Sequence, residues 1–194
     1  GEVQQAVHAV RKINTDLVLM QCNTNYTASE ENFNHIHLNV LKTYAALFPD
    51  LILGLSDHTS GHATVLGAVA LGARVVEKHF TDDTTREGPD HIFAMDPAMW
   101  ADMVRNTRQL ESALGSPDKK IAENEKDTVI IQRRCLRAAR DIKAGETITR
   151  DHIDVLRPAT LGAIHPDQID DLIGMKLISD IPYGKEFHWG DLKR

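Results

Sequence analysis

Two hydrophobic periods alternate along the first 115 or so residues. Val3, Ala6, Val7, Val10 and Ile13 recur at helical spacing and predict an amphipathic helix over 3–13. The continuous apolar run across 16–22 predicts a buried strand. Thr27, with Glu30 three residues on, has capping-box spacing. It would open a long helix with Phe33, Ile36, Val40, Leu41, Tyr44 and Phe48 on one face, stopped by Pro49 and Asp50. A second strand follows over 51–55, then a helix over 61–71 whose Ala63, Gly67, Ala70 and Leu71 form a smooth face, then a third strand over 74–79. Asp96 and Pro97 read as N-cap and first helical position of a helix running to Leu114, with Gly115 as its stop. Strands alternating with helices imply an α/β fold with a parallel sheet and right-handed crossovers. A (β/α)8 barrel and a doubly wound sheet both fit. No glycine-rich GxGxxG loop follows any strand, which lowers a dinucleotide-binding reading.

The pattern then changes. Residues 115–126 are polar, contain Ser116-Pro117, and read as a linker between a domain over 1–114 and one over 127–194. The second domain shows short β-like pieces over 128–131, 137–139, 153–156 and 176–178, and a weak internal repeat. Asp141, Ile142, Gly145 and Ile148 recur as Asp180, Ile181, Gly184 and Phe187, a constant offset of 39 residues. Each copy reads as a hairpin-like turn, and two of them make a small β domain near the lower size limit for independent folding.

Composition narrows the partners. A net charge of −6 argues against nucleic acid or an anionic membrane surface as the main partner. No apolar run approaches the ~18 residues of a membrane span. Cys22 and Cys135 lie far apart without CxxC spacing and read as free thiols of a reducing cytoplasm. The chain opens on Gly1 and enters a helical pattern at once, as a piece of a longer protein would.

The candidate chemistry gathers at strand ends, where parallel α/β folds carry it. His58 and His79 follow successive strands; two imidazoles on neighbouring strand ends could share one divalent ion, with Mn2+ suited to the mixed ligand set. Alternatively, each caps a strand end through the backbone. Ser56, one pleat from His58, could bind a phosphate or satisfy local backbone. Glu77 and Lys78 point to opposite sides, so at most one of them enters the mouth. Asp90, fixed by Gly88-Pro89, could hold sugar hydroxyls or cap its own turn. Tyr26 could stack on a substrate or pack. Arg157, held extended before Pro158, could reach across an interface or stay solvated.

Gly54-Leu-Ser-Asp-His-Thr59, Ala68-Val-Ala-Leu-Gly-Ala73, Glu77-Lys-His-Phe-Thr81, Gly88-Pro-Asp-His91 and, further on, Ala139 to Gly145 with Arg157-Pro158 stand in the order and spacing of the sialic acid synthase family. That family comprises the N-acetylneuraminate synthases and their legionaminic and pseudaminic acid relatives. The resemblance covers nearly the whole chain. It implies a TIM barrel followed by an antifreeze-like (SAF) domain, and condensation of phosphoenolpyruvate with an N-acetylated sugar such as N-acetylmannosamine, releasing phosphate. By the same resemblance His58 and His79 hold a divalent metal, typically Mn2+, and Ser56 contacts phosphoenolpyruvate. Tyr26 and Asp90 contact the acceptor sugar. Arg157 reaches the N-acetyl group of a sugar bound by the partner subunit in a domain-swapped homodimer.

Two departures stand out. Where the family has His-Cys-Thr before an Asn and a Tyr-Pro, this chain reads Gln21-Cys-Asn-Thr-Asn-Tyr-Thr27, so the phosphoenolpyruvate contact falls to Asn23, Thr24 or Asn25. A complete barrel needs about 250 residues, so the family's general acid/base Glu and phosphate-holding Lys are expected upstream of Gly1, and the piece alone is expected to be inactive. The competing reading is a non-catalytic SAF-type binding module, for which the basic cluster Arg133, Arg134, Arg137 and Arg140 offers a surface.

Overall fold

The computed structural model describes residues 1–194, which divide into two compact units, 1–117 and 118–194.

The first unit is a three-stranded parallel sheet in the order β1-β2-β3: β1 (Val18–Cys22), β2 (Ile52–Asp57) and β3 (Val75–Lys78). α1 (Glu2–Arg11) precedes it; α2 (Val40–Leu47) and α3 (Ala63–Ala70) connect the strands, and α4 (Pro97–Leu114) follows. Alternation along the strands sorts the side chains. Leu19, Leu53, Leu55 and Val76 pack with Leu41, Val65, Ala68 and Met103 from the helices. The opposite face carries Val18 and Ile52, which are cross-strand neighbours and about half exposed, together with Met20, Gly54 and Ser56. Gly54 is required there. A Cβ would lie 2.7 Å from the Val75 carbonyl oxygen and 2.9 Å from Met20 Cγ.

α4 begins as its sequence dictates. Asp96 accepts from the Met99 N–H at 2.8 Å, Pro97 occupies the first turn, and Gly115 ends the helix with φ +50°. Three other expectations are corrected. The long helix over 27–48 is broken: a 3-10 turn (Glu30–His35) precedes α2, with His37 between them at φ +51°. The Gln21 amide donates to the Ile36 carbonyl, taking an acceptor that a continuous helix would use internally. The N-cap is Ser29, which accepts from Glu31 N–H, whereas the Thr27 hydroxyl accepts from Ser29 N–H. The buried side of α3 is Thr64, Val65, Ala68 and Val69, while Ala63 and Ala70 face outward. α1 buries Val7 alone, and Ile13 is 91% exposed.

The second unit contains α5 (Val129–Gln132), β4 (Cys135–Ala138), β5 (Ile153–Leu156), α6 (Ile169–Leu172), β6 (Lys176–Leu177) and β7 (Leu192–Lys193). β4 pairs antiparallel with β5, and β6 with β7. The segment expected as a strand over 128–131 is the short helix α5. Leu136, Ile142, Ile148, Ile164, Leu177, Ile181 and Phe187 fill the core.

The repeat is present, but its copies are not separate hairpins: they pair with each other. Ile142 and Ile181 exchange both backbone bonds at 2.9 Å. Gly145 N–H donates to the Leu177 carbonyl, and Gly184 N–H to the Ala138 carbonyl, each 39 positions from its counterpart. Asp180 accepts from Ala144 N–H and Asp141 from Tyr183 N–H in the same relation. Gly145 and Gly184 both have φ near +80°, the left-handed region that glycine enters without a Cβ penalty.

Three of the four arginines of the basic cluster are spent internally. Arg137 bonds Glu186 and the Gly184 and Pro158 carbonyls, Arg140 bonds Glu146, and Arg134 donates to the Val155 carbonyl. Two of the four charges, those of Arg137 and Arg140, are thereby matched by carboxylates.

Candidate functional site

The C-terminal ends of β2 and β3 and the loop after β1 assemble one rim. The imidazoles of His58 and His79 lie 5.1 Å apart between centroids. Tyr26 stands beside both, at 4.4 Å from His58 and 5.6 Å from His79. The ring of Phe93 is 5.0 Å from His79 and 6.1 Å from Tyr26. Phe93 is buried, and Tyr26 is 55% exposed, so the cluster has a packed floor and an open wall.

Each histidine is oriented from behind. His58 Nδ1 lies 2.9 Å from the Asn23 carbonyl oxygen. A carbonyl only accepts, so Nδ1 is the donor, and in the neutral imidazole Nε2 then carries the lone pair. His79 Nδ1 faces the Asp90 carboxylate at 3.5 Å. A ligating histidine characteristically gives its other ring nitrogen to a carbonyl or carboxylate in this way.

Asp90 is delivered by a loop pinned at its neck. Met95 N–H donates to the His79 carbonyl and Thr81 N–H to the Met95 carbonyl, both at 2.9 Å. Within the loop, the Thr81 hydroxyl is 2.7 Å from His91 Nδ1, and Ala94 N–H donates to the Asp90 carbonyl. Asp83 caps its first turn through the Thr85 hydroxyl and N–H, which hold the carboxyl below the usual range.

Ser56 sits one pleat below His58 on the same face, where its hydroxyl donates to the Glu77 carboxylate at 2.8 Å. Glu77 therefore belongs to the rim side. Lys78 turns the other way, buried against Asp57 at 2.6 Å. Asn23 serves the site through its backbone, while its amide donates to the His35 carbonyl. Thr24 is exposed. Arg157 belongs to the second unit, where its guanidinium donates to Gln132 Oε1 at 2.9 Å, and the Arg157–Pro158 peptide is cis. The structure thus brings Tyr26, His58, His79 and Asp90 together, with Ser56 beneath.

Phe93 was not legible as part of the rim, nor was the Asp57–Lys78 pairing behind it. Phe93 sits in an ordinary apolar stretch. The alternation that sent Glu77 and Lys78 to opposite sides did not say what Lys78 would meet.

The residues present fit a divalent ion as a pair of nitrogen donors. No group of three or more His, Cys, Asp or Glu side chains is arranged to hold a metal, so two imidazoles would leave the other positions to water or substrate.

A parallel α/β sheet rimmed by imidazoles is followed along the chain by a small interlocked β unit. The chain belongs to the NeuB family, whose model matches residues 1–119, and the SAF domain model matches residues 133–193. It is 36% identical over 193 residues to N,N'-diacetyllegionaminic acid synthase of Legionella pneumophila, covering 97% of this chain and 52% of that protein. It is 35% identical over 179 residues to N-acetylneuraminate-9-phosphate synthase of Mus musculus, covering 92% and 49%. The chain spans about half the length of the curated relatives it matches. Among solved structures, it resembles a spore coat polysaccharide biosynthesis protein E from Chromobacterium violaceum, with a TM-score of 0.60 at 23% identity, covering 99% of this chain and 57% of that one. That likeness concerns the fold. No helix is long and apolar enough to cross a membrane, and Cys22 and Cys135 are both free.

Proposed function

We propose that this chain is the C-terminal part of a nonulosonic acid synthase. The full protein would close the parallel sheet into a TIM barrel and join phosphoenolpyruvate to an N-acetylated amino sugar, releasing phosphate. The observation that carries this reading is the convergence of His58, His79, Tyr26 and Asp90 on one rim. The relatives' names, synthases of N,N'-diacetyllegionaminic acid and of N-acetylneuraminate-9-phosphate, support a nonulosonic acid product.

The residues divide the work by type. His58 and His79 would hold a divalent ion, most readily Mn2+. When bound, such an ion supplies Lewis acidity to the acceptor's aldehyde oxygen. Asp90 presents acceptor-only oxygens to sugar hydroxyls, and Tyr26 offers a flat face to the sugar ring. The Ser56 hydroxyl turns from Glu77 to donate to a phosphoenolpyruvate oxygen, with Asn23 and Thr24 at the neighbouring strand end as further donors. Arg157 would reach the N-acetyl group of an acceptor held by the partner subunit of a swapped dimer; its planar guanidinium presents several fixed donors to an amide carbonyl. The alternative, a non-catalytic SAF-type module, is disfavoured by the internally paired arginines.

The test is phosphate release by the full-length protein from phosphoenolpyruvate with N-acetylmannosamine or its diamino analogues, in the presence of Mn2+. Turnover that His58→Ala removes is expected. Failure with every acceptor, in a folded protein that binds Mn2+, would sink the synthase reading.

A further inference from the structure

The β2–β3 ladder ends at the registered pair Asp57 and Lys78, and the two histidines come one residue later on the opposite face. Backbone beyond the last ladder bond opens most readily. Here a closed side-chain network takes over where the ladder stops. Lys78 Nζ donates to Asp57 Oδ2 at 2.6 Å and to the Thr59 carbonyl. Asp57 also accepts from the Thr64 hydroxyl at 2.7 Å, the Thr59 hydroxyl at 2.9 Å and Thr59 N–H at 3.2 Å. The Lys78 and Asp57 side chains are 1% and 0% exposed.

The network brackets the first histidine. Residues 57 and 59, on either side of His58, both end on one ammonium group, and that group belongs to the residue before His79. The far side of His79 is held by Met95 N–H on its carbonyl. The peptide planes carrying both imidazoles are thereby referred to one buried charge.

Stability alone does not call for this pair. Further down the strands the same face is apolar, with Leu53, Leu55 and Val76 in line. A buried ion pair is often no better than a hydrophobic pair of the same volume, because desolvation offsets its Coulomb attraction. What the ion pair adds is direction: fixed donor–acceptor lengths between two strand ends.

We propose that Asp57 and Lys78 are positioning residues that set the separation and orientation of the His58 and His79 imidazoles. The significance of that geometry rests on reading the histidines as a metal-binding pair. The test is Asp57→Leu/Lys78→Met in the full-length protein, which removes both charges and leaves neither unpaired. The melting temperature is expected to fall, because the Thr59 N–H, the Thr59 carbonyl and the Thr64 hydroxyl lose their buried partners. Co2+ affinity, read from its visible absorption, is expected to fall about 10–100-fold, the usual cost of losing groups that orient metal ligands. In the metal-free protein, nuclear Overhauser contacts between the Tyr26 and His58 rings should weaken, and the His58 Nδ1–H tautomer should lose its dominance. A folded double variant that keeps those contacts and that tautomer would overturn the proposal. If it does not fold, Thr64→Val removes one donor to Asp57 and should shift the same signals in the same direction; no shift would overturn it equally. If the wild type takes up no Co2+, the metal reading fails separately, and the ring contacts alone decide the positioning role.

Discussion

The hydroxyl of Ser56 donates across the β2–β3 boundary to the carboxylate of Glu77, 2.8 Å away, so a neutral donor and an acid share one rung beneath the imidazoles. If Ser56 serves phosphoenolpyruvate, Ser56→Ala in the full-length synthase removes one hydrogen bond. A bond worth ~1.4 kcal/mol corresponds to about a tenfold rise in the KM for phosphoenolpyruvate. Mn2+ affinity should not change. Steady-state kinetics decide, and an unaltered KM would remove Ser56 from the substrate site.

Mn2+ is expected to raise the melting temperature of the full-length protein. An ion that binds only the native state contributes about 2.7 kcal/mol at a hundred times its Kd. His79→Ala takes away one of the two imidazoles and should abolish the shift. Thermal scans across a Mn2+ titration make the comparison, and an undiminished shift in the variant would place the ion elsewhere.

Gly54→Ala puts a methyl group 2.7 Å from the Val75 carbonyl oxygen. The obstacle is backbone of the neighbouring strand and cannot rotate away. A loss of ~1–3 kcal/mol is expected, as for overpacking in a filled interior. Urea unfolding measures it. A smaller loss would mean that β2 and β3 can separate at little cost.

Acid should loosen the second unit through Glu186. The Thr160 hydroxyl above all, then a backbone N–H and the Arg137 guanidinium, hold this carboxyl below its ordinary value of 4.5 against the opposing effect of burial. A depressed folded value means the contribution is complete above the ordinary pKa and is lost as pH falls through the folded one. Amide protection at Leu136 and Phe187, relative to the intrinsic exchange rate at each pH, should therefore fall below about pH 4.5. Glu186→Gln should flatten that dependence, and an equally steep acid limb in the variant would assign it to other carboxylates.

Arg157 offers a test of subunit exchange. If it acts on acceptor bound by a partner, mixing Arg157→Ala subunits with His58→Ala subunits should restore activity that neither homodimer has. One barrel in the mixed dimer keeps its histidines and receives an intact arginine. No recovery in verified heterodimers would assign Arg157 to its own barrel or to no substrate at all.

The parallel strands and α4 were legible because their signals are local. Continuous apolar runs, Asp96 before Pro97, and Gly115 each act within a few residues. The broken helix over 27–48 was not, because its cause is tertiary: Gln21, on another element, takes the Ile36 carbonyl. α5 was misread as a strand since Val129, Ile130 and Ile131 are β-branched, and four residues are too few for periodicity to arbitrate. At the site, strand-end spacing was enough to pair His58 with His79. The Asn23 contribution was hidden because it is a carbonyl, which every residue carries.

The bonds of the second unit between positions 39 residues apart have a further consequence. Ile142 and Ile181 meet as equivalents across an approximate two-fold axis within a single chain. Each half holds out donors and acceptors that only the other half answers, as two clasped hands do. A polypeptide carrying one copy would find its complement only in a second molecule of itself. Severing the chain between the copies would therefore yield two mutually adhesive pieces, each with a bare apolar side, rather than two smaller domains.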